Sequence, residues 1–163
     1  MEAVRAFVSA GGGYIGTCAG AFLGMISLQF YGGGLNASTV QSLGEGKVQM
    51  EFTNQGLRDL ALDSDRFAGN VSIYYMGGPV VASASLPANV SILAWYRSKI
   101  PSWDPAPQGV DTPAITSTQY GAGRIVLNSP HAEHTQSAGI GPSFYRGELA
   151  WVLGRSELSS IIV

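Results

Sequence analysis

The sequence has few charged residues and a single cysteine. Charged side chains make up 12% of the 163 residues and the formal net charge is −2, so the chain lacks the basic surface that nucleic-acid binding requires. One cysteine excludes an intrachain disulfide and is usual in a reducing compartment. A secretory signal requires a basic segment followed by a compact apolar one, and the sequence does not begin with this pattern. We therefore expect a cytoplasmic protein.

Uninterrupted apolar runs long enough to cross a membrane are also missing. No charged residue occurs between Arg5 and Glu45, but triple glycines at 11–13 and 32–34 interrupt this segment. The continuous apolar stretch 19–30 is shorter than the about 20 residues that a spanning helix needs. We therefore expect neither a membrane nor a nucleic acid as partner. Since 45% of the residues are hydrophobic, the chain can bury a core, and we predict a single domain over residues 1–163.

Apolar periodicity predicts an α/β fold in which the middle strands form an antiparallel insertion. In the last helix, Leu149, Val152 and Leu153 are expected to face inward. Glycine- and proline-rich segments at 32–46 and 101–113 are predicted to be loops. The predicted helices span residues 2–10, 19–30 and 144–155, and the predicted strands span 14–17, 47–52, 71–75, 91–96, 114–120 and 124–128.

Cys18 lies where a short apolar strand is predicted to turn into a helix. Gly16 and Gly20 flank it, as in a nucleophile elbow, where strand and helix backbones come close together. At a helix N-terminus the free N–H groups and the helix dipole favour the thiolate. A buried core cysteine is the structural alternative, but it has no need of the two glycines.

His131 and Glu133 follow the predicted strand 124–128 directly. On an extended segment, side chains two residues apart point the same way, so Glu133 can hold the imidazole while His131 takes the proton of Cys18. A plain surface turn is the alternative for this pair. A metal site would recruit His134 as a third ligand, but no second His/Cys cluster completes it, so we expect no metal and no cofactor.

Three segments in the same order carry a resemblance to a known family. Residues 11–22 (GGGYIGTCAGAF), 74–79 (YYMGGP) and 121–133 (GAGRIVLNSPHAE) resemble motifs of the class I glutamine amidotransferase-like superfamily, most closely the branch named for the N-terminal domain of fungal biotin–protein ligase. The resemblance spans most of the chain. It implies a flavodoxin-like α/β sandwich, a catalytic triad of Cys18, His131 and Glu133, and an oxyanion held by the backbone N–H of Ala19.

The resemblance also indicates that part of the family's fold is missing. The sequence starts at the helix before the elbow strand, so the first strands and the loop that supplies a second oxyanion donor are expected to be absent, as in a fragment of a longer protein. Two functions follow. The first is a Cys-His-Glu amide hydrolase or transferase acting on a small-molecule amide or an unknown substrate. The second is an inactive binding or regulatory domain of the same fold, attached covalently or non-covalently to a ligase-type domain.

Overall fold

The computed structural model describes residues 1–32, 35, 40–42, 44–100, 109–135 and 140–154, which contain both helices and strands. Parts of the predicted loops at 32–46 and 101–113, and residue 155 of the last predicted helix, lie outside these residues. The helices are α1 (Glu2–Ser9), α2 (Ala19–Phe22), α3 (Asn54–Asp59), α4 (Ser64–Phe67) and α5 (Ile140–Val152), and the strands are β1 (Gly13–Thr17), β2 (Val40–Ser42), β3 (Glu45–Phe52), β4 (Asn70–Met76), β5 (Pro79–Val81), β6 (Ser91–Tyr96), β7 (Pro113–Tyr120) and β8 (Gly123–Asn128).

Six strands form one mixed sheet in the order β1-β8-β7-β6-β3-β4. β1 and β8 run parallel, with Thr17 beside Asn128, whereas the other neighbouring pairs are antiparallel. β2 and β5 form a separate antiparallel pair. The α/β class and the antiparallel middle strands predicted from the sequence are therefore confirmed.

The sheet is curled, so that the chain leaving one strand reaches the far edge. After β8, the N–H of His131 donates to the carbonyl of Tyr74 at 2.7 Å, in an antiparallel bridge to edge strand β4. At the opposite edge, β1 leads into Cys18, whose sulfur lies 3.3 Å from the carbonyl of Met76 at the end of β4. The curl therefore brings both edges of the sheet to one place.

Side chains alternate along β1 and β8, and the two faces of the sheet pack against different helices. Ile125 and Leu127 join the core around α1 and α2, whereas Val126 joins the core that includes Phe144 of α5. By the same period of two, Thr17 and Asn128 face α5. Two polar side chains at the ends of the parallel strands are thus directed at the last helix.

The helices differ from the sequence-based expectation in two ways. The predicted helix 19–30 has only four α-helical residues and continues as a π-helical turn, Leu23–Ser27, in which the N–H of Leu28 donates to the carbonyl of Leu23 at 2.8 Å. Val152 of α5 is buried as expected, but Leu149 of α5 and Leu153, which follows the helix, are 46% and 50% exposed. The inward orientation predicted for these two leucines was wrong because the true inner face contains glycines and a glutamate.

No helix in the described part of the chain combines the length and the apolar character needed to cross a lipid bilayer.

Candidate active site

The turn between β1 and α2 holds Cys18 in a conformation that non-glycine residues seldom adopt. Its φ is 52° and its ψ is −110°. Two backbone hydrogen bonds fix the turn: the N–H of Cys18 donates to the carbonyl of Asn128 at 2.9 Å, and the carbonyl of Cys18 accepts from the N–H of Phe22 at 3.0 Å. Because neighbouring strand and helix hold both sides of the residue, the strained backbone projects the cysteine from the sheet edge.

The two glycines of the elbow have different surroundings. A Cβ on Gly16 would lie 2.6 Å from the carbonyl oxygen of Gly20 and 2.8 Å from the ring of Tyr14. A Cβ on Gly20 would have only the hydroxyl of Tyr14 near it, at 4.0 Å. That hydroxyl donates to the carbonyl of Gly20 at 2.8 Å, which ties β1 to α2. Close approach of the backbones therefore requires glycine at position 16 but not at position 20.

His131, Glu133 and Tyr145 form a chain of hydrogen bonds. His131 Nδ1 lies 2.5 Å from Glu133 Oε1, and the hydroxyl of Tyr145 donates to Glu133 Oε2, also at 2.5 Å. His131 is buried to 8% exposure, and its turn is held against β4 by the bridge to Tyr74. Each carboxylate oxygen thus has one partner, and the histidine ring is held through one of its nitrogens.

The cysteine and the histidine are not hydrogen-bonded to each other. Cys18 Sγ donates instead to the carbonyl of Met76. Among the described residues, His131 Nε2 is a buried nitrogen without a hydrogen-bond partner. The site therefore combines a thiol whose proton points at a carbonyl with an imidazole nitrogen that is open to accept a proton.

The electrostatics favour a neutral thiol beside an ionised carboxylate. Burial raises the pKa of the Cys18 thiol, the nearby N–H of Ala19 lowers it in part, and the charge of Glu133 raises it further. The thiolate expected from the helix N-terminus is therefore not favoured in this state. Burial also raises the pKa of Glu133, but the hydrogen bonds from Tyr145 and His131 outweigh it, and the net pKa is lowered.

Three side chains of this turn offer ligand atoms for a metal ion. The nitrogens of His131 and His134 and the carboxylate of Glu133 come within 4.8 Å of one another. Glu133 is, however, already shared between His131 and Tyr145. Structural zinc sites use four ligands and catalytic sites use three that leave an open position, and here one of the three is committed to hydrogen bonds within the chain. His131 and Glu133 are better described as part of a hydrogen-bonded chain with Tyr145 than as part of a metal centre.

A cleft of about 450 Å³ opens beside these residues. Tyr74 and Met76, which contact His131 and Cys18 through their backbones, belong to its lining, together with Lys47, Ile73, Ser72, His134 and Thr135. The cleft therefore reaches the strand end at which the cysteine and histidine converge.

Sequence reasoning missed the polar residues of α5 that lie behind Cys18, His131 and Glu133. Tyr145 and Glu148 are three residues apart and so share a helix face. Glu148 is completely buried, as is Asn128 at the end of β8. The helical spacing of Gly141, Phe144 and Gly147 could have revealed them, because these residues lie on the same side of α5 as Tyr145 and Glu148. This side differs from the inner face that the leucines suggest.

Comparison with known proteins gives the family. Residues 1–143 match the family described as "Biotin-protein ligase, N terminal". The chain belongs to this family. The resemblance to this family stated from the sequence motifs is therefore confirmed. Comparison with curated proteins by sequence gave no significant match.

This member of the biotin-protein ligase N-terminal family is similar in fold to several proteins of solved structure. A putative GMP synthase protein from Thermoplasma acidophilum is 13% identical with a TM-score of 0.59, and the match covers 94% of this chain and 64% of that one. A cytoplasmic protein from Salmonella typhimurium is 14% identical (TM-score 0.54, covering 93% and 59%), and a cold-adapted β-galactosidase from Rahnella sp. R3 is 17% identical (TM-score 0.53, covering 91% and 20%). The chain thus spans 20 to 64% of the length of these proteins.

Proposed function

We propose that this chain is an amidotransferase-like thiol hydrolase domain that cleaves or transfers the amide of a small molecule. The observation that carries the proposal is the elbow conformation of Cys18, at a φ of 52°, at the sheet edge where His131 is bonded to Glu133. The parallel pair β1–β8, with α2 and α5 on opposite faces, supports the flavodoxin-like sandwich that the family implies.

The proposed reaction begins with transfer of the Cys18 proton to His131 Nε2. The sulfur attacks the amide carbonyl carbon, and the N–H of Ala19 donates to the oxyanion that forms. The imidazolium returns the proton to the amide nitrogen, the C–N bond breaks, and ammonia leaves a thioester on Cys18. His131 then takes a proton from water, the hydroxide cleaves the thioester, and the carboxylic acid and the thiol are released.

Glu133 has a supporting role in this scheme. Ionised and bonded to Nδ1, it fixes the tautomer of His131 that leaves Nε2 free to accept a proton, and it stabilises the imidazolium. Tyr145 holds the second oxygen of the carboxylate. The neutral state of Cys18 is compatible with such a pair, since the proton need move only when substrate is present.

A binding or regulatory domain of the same fold is the second candidate. The raised pKa of Cys18 and its hydrogen bond to Met76 favour this alternative, because they describe a thiol that is not activated at rest. In that case the cleft would serve recognition only, and a ligase-type domain would be the expected attached partner. The two candidates differ in whether His131 controls the reactivity of Cys18.

The test is the rate of Cys18 alkylation by iodoacetamide between pH 5 and 9, read by intact mass. Cys18 is the one cysteine, so each labelled molecule reports this site. His131→Ala is compared with His134→Ala, which removes the neighbouring ring 5.5 Å away. Because a general base contributes about 10²-fold or more, we expect His131→Ala to slow labelling at pH 7 by at least about tenfold, and His134→Ala to change it less than about twofold.

Circular dichroism and thermal unfolding serve to test whether both variants are folded. Ammonia release from glutamine and from simple primary amides is then measured for the wild type and Cys18→Ser. Equal labelling rates in the wild type and His131→Ala would rule out the Cys–His pair and leave the binding domain as the function. His131-dependent labelling without turnover of these amides would retain the pair and exclude those substrates.

A further inference from the structure

Glu148 is a fully buried acid that the proposed reaction does not use. It lies in α5 with no exposed surface, and neither of its carboxyl oxygens has a hydrogen-bond partner among the described residues. None of the ion pairs of the described residues involves it. An isolated buried carboxylate is strongly unfavourable, so a group in this environment is expected to keep its proton.

The polar groups near Glu148 belong to the strand ends that hold the Cys18 turn. Asn128 lies close enough to Glu148 to lower the pKa of the acid in part, although no hydrogen bond joins the two side chains. The amide nitrogen of Asn128 donates to Thr17 Oγ1 at 3.4 Å, and its backbone carbonyl accepts the N–H of Cys18. Glu148 therefore lies behind the strand ends that carry the nucleophile.

The unpaired atoms are complementary only if the acid is neutral. Asn128 Oδ1 is a buried acceptor without a donor among the described residues, and both Glu148 oxygens are acceptors when ionised. A protonated carboxyl supplies the missing O–H, and its carbonyl oxygen can accept the second N–H of the amide. A carboxylic acid and a primary amide thus satisfy each other, whereas a carboxylate leaves Asn128 Oδ1 unpaired.

The charged and titratable groups around Glu148 are consistent with this state. Glu133, in the turn before α5, is ionised and its charge raises the pKa of Glu148, as burial does more strongly. Tyr145 lies on the same helix face and donates to Glu133, and the thiol that follows β1 is neutral. Arg124 of β8 bonds to a backbone carbonyl of α5, and Arg146 lines a separate cleft beside α4. The surroundings thus favour the protonated form of Glu148 and the ionised form of Glu133.

We propose that Glu148 is a positioning residue of the site: as a neutral acid it donates a hydrogen bond to Asn128 and so holds the strand ends on which the Cys18 turn is built. This role rests on the proposed function for its effect on Cys18, but the protonation state of Glu148 does not.

The first measurement is difference infrared spectroscopy of the wild type, Glu148→Gln and Glu133→Gln at pH 7. A buried protonated carboxyl has a C=O band that ionised surface carboxylates lack. We expect this band in the wild type and in Glu133→Gln, and its loss in Glu148→Gln. Absence of the band from the folded wild type, or its loss in Glu133→Gln alone, would overturn the proposal whatever the domain does.

The second measurement uses Cys18 alkylation to separate positioning from packing. Glu148→Gln keeps a neutral donor and acceptor, whereas Glu148→Met has a similar volume and neither. Because small displacements of a reacting group are costly, we expect Glu148→Met to lower the His131-dependent labelling rate about tenfold and Glu148→Gln to stay within about twofold of the wild type. Equal rates in Glu148→Met and the wild type, or equal impairment in both variants, would contradict a positioning role.

The two proposals fail in different ways. If His131→Ala does not slow labelling, the thiol hydrolase function fails, while the infrared band still decides whether Glu148 is neutral. If Glu148→Met does not fold, the comparison of Glu148→Gln with the wild type and the infrared band carry the test.

Discussion

Replacing Gly16 with alanine should disrupt the elbow, whereas the same replacement at Gly20 should be tolerated. A Cβ added at position 16 would lie 2.6 Å from the carbonyl oxygen and 2.7 Å from the carbonyl carbon of Gly20. Ordinary contacts begin at 3.4 Å, so α2 and β1 would have to separate by several tenths of an ångström. Both contacting atoms belong to the backbone, which cannot rotate away as a side-chain end would.

The expected cost follows from the size of this overlap. Inserting a methyl group into a packed interior typically costs about 1–3 kcal/mol of the free energy of unfolding. For a domain of this length that corresponds to a midpoint about 2–12 °C lower. At Gly20 the nearest contact of a new Cβ is 4.0 Å away, and alanine in place of a helical glycine stabilises by up to about 1 kcal/mol.

Thermal unfolding and Cys18 alkylation measure the two consequences together. Gly16→Ala should lower the unfolding midpoint and reduce the His131-dependent labelling of Cys18, because the hydrogen bond between Tyr14 and Gly20 can no longer close. Gly20→Ala is the matched control: it should be at least as stable as the wild type, by up to about 1 kcal/mol, and Cys18 should label at the wild-type rate. The reasoning is refuted if Gly16→Ala is as stable as Gly20→Ala and labels at the same rate.

Three further predictions concern α5. Tyr145→Phe removes the donor to Glu133 Oε2 and should lower the free energy of unfolding by about 1 kcal/mol in chemical denaturation. The pKa of Glu133 should rise in a carboxyl-detected NMR titration, and an unchanged titration would contradict the hydrogen bond. Folding raises the pKa of Glu148 above its ordinary value of 4.5, so above pH 4.5 the folded state keeps a proton that the unfolded state loses. The free energy of unfolding should therefore fall as pH rises from 4.5, by up to about 1.4 kcal/mol per pH unit. Glu148→Gln should abolish this slope, and a slope that persists in the variant would belong to another group. In denaturant titrations, Val152→Ala should lower the free energy of unfolding by about 1–3 kcal/mol and Leu149→Ala by less than about 0.5 kcal/mol, because only the valine is buried. The reverse order would show that a different face of α5 packs on the core.

The elements with strong local signals could be predicted from the sequence. Alternation and glycine boundaries place β6 and β8 within a residue of their observed limits, and the short β1 is recognisable because the elbow motif follows it. His131 and Glu133 are hydrogen-bonded, as expected, but the prediction that they lie on an extended segment was wrong, because Ala132–His134 form a 3-10 turn. These features depend on neighbours in the chain, which is the information that periodicity carries.

Features that depend on distant contacts could not be predicted. β2 and β5 pair residues such as Val40 and Val81, far apart in the chain, and each is only three residues long. Helix α5 shows the other limitation. Its exposed Leu149 and its buried Glu148 reverse the usual relation of polarity and burial, because Gly141 and Gly147 allow the helix to approach Ala132 and Leu60 closely on that face.

The third limitation concerns α3, whose signal lies in its cap rather than its interior. Thr53 Oγ1 accepts the N–H of Gly56 at 2.9 Å, and only six helical residues follow. A helix this short has too few residues for an apolar period to be recognised. The capping residue is therefore the better guide to such an element than its hydrophobic pattern.

The contact between Cys18 and Met76 joins the two outer strands of the sheet across 58 residues of sequence. The thiol is therefore a natural sensor of the native topology as well as a candidate nucleophile. Any fluctuation that separates β1 from β4 breaks this hydrogen bond, whereas fraying of a surface loop does not. The S–H stretching band of Cys18 would then report whether the two edges of the sheet are joined, without any added probe.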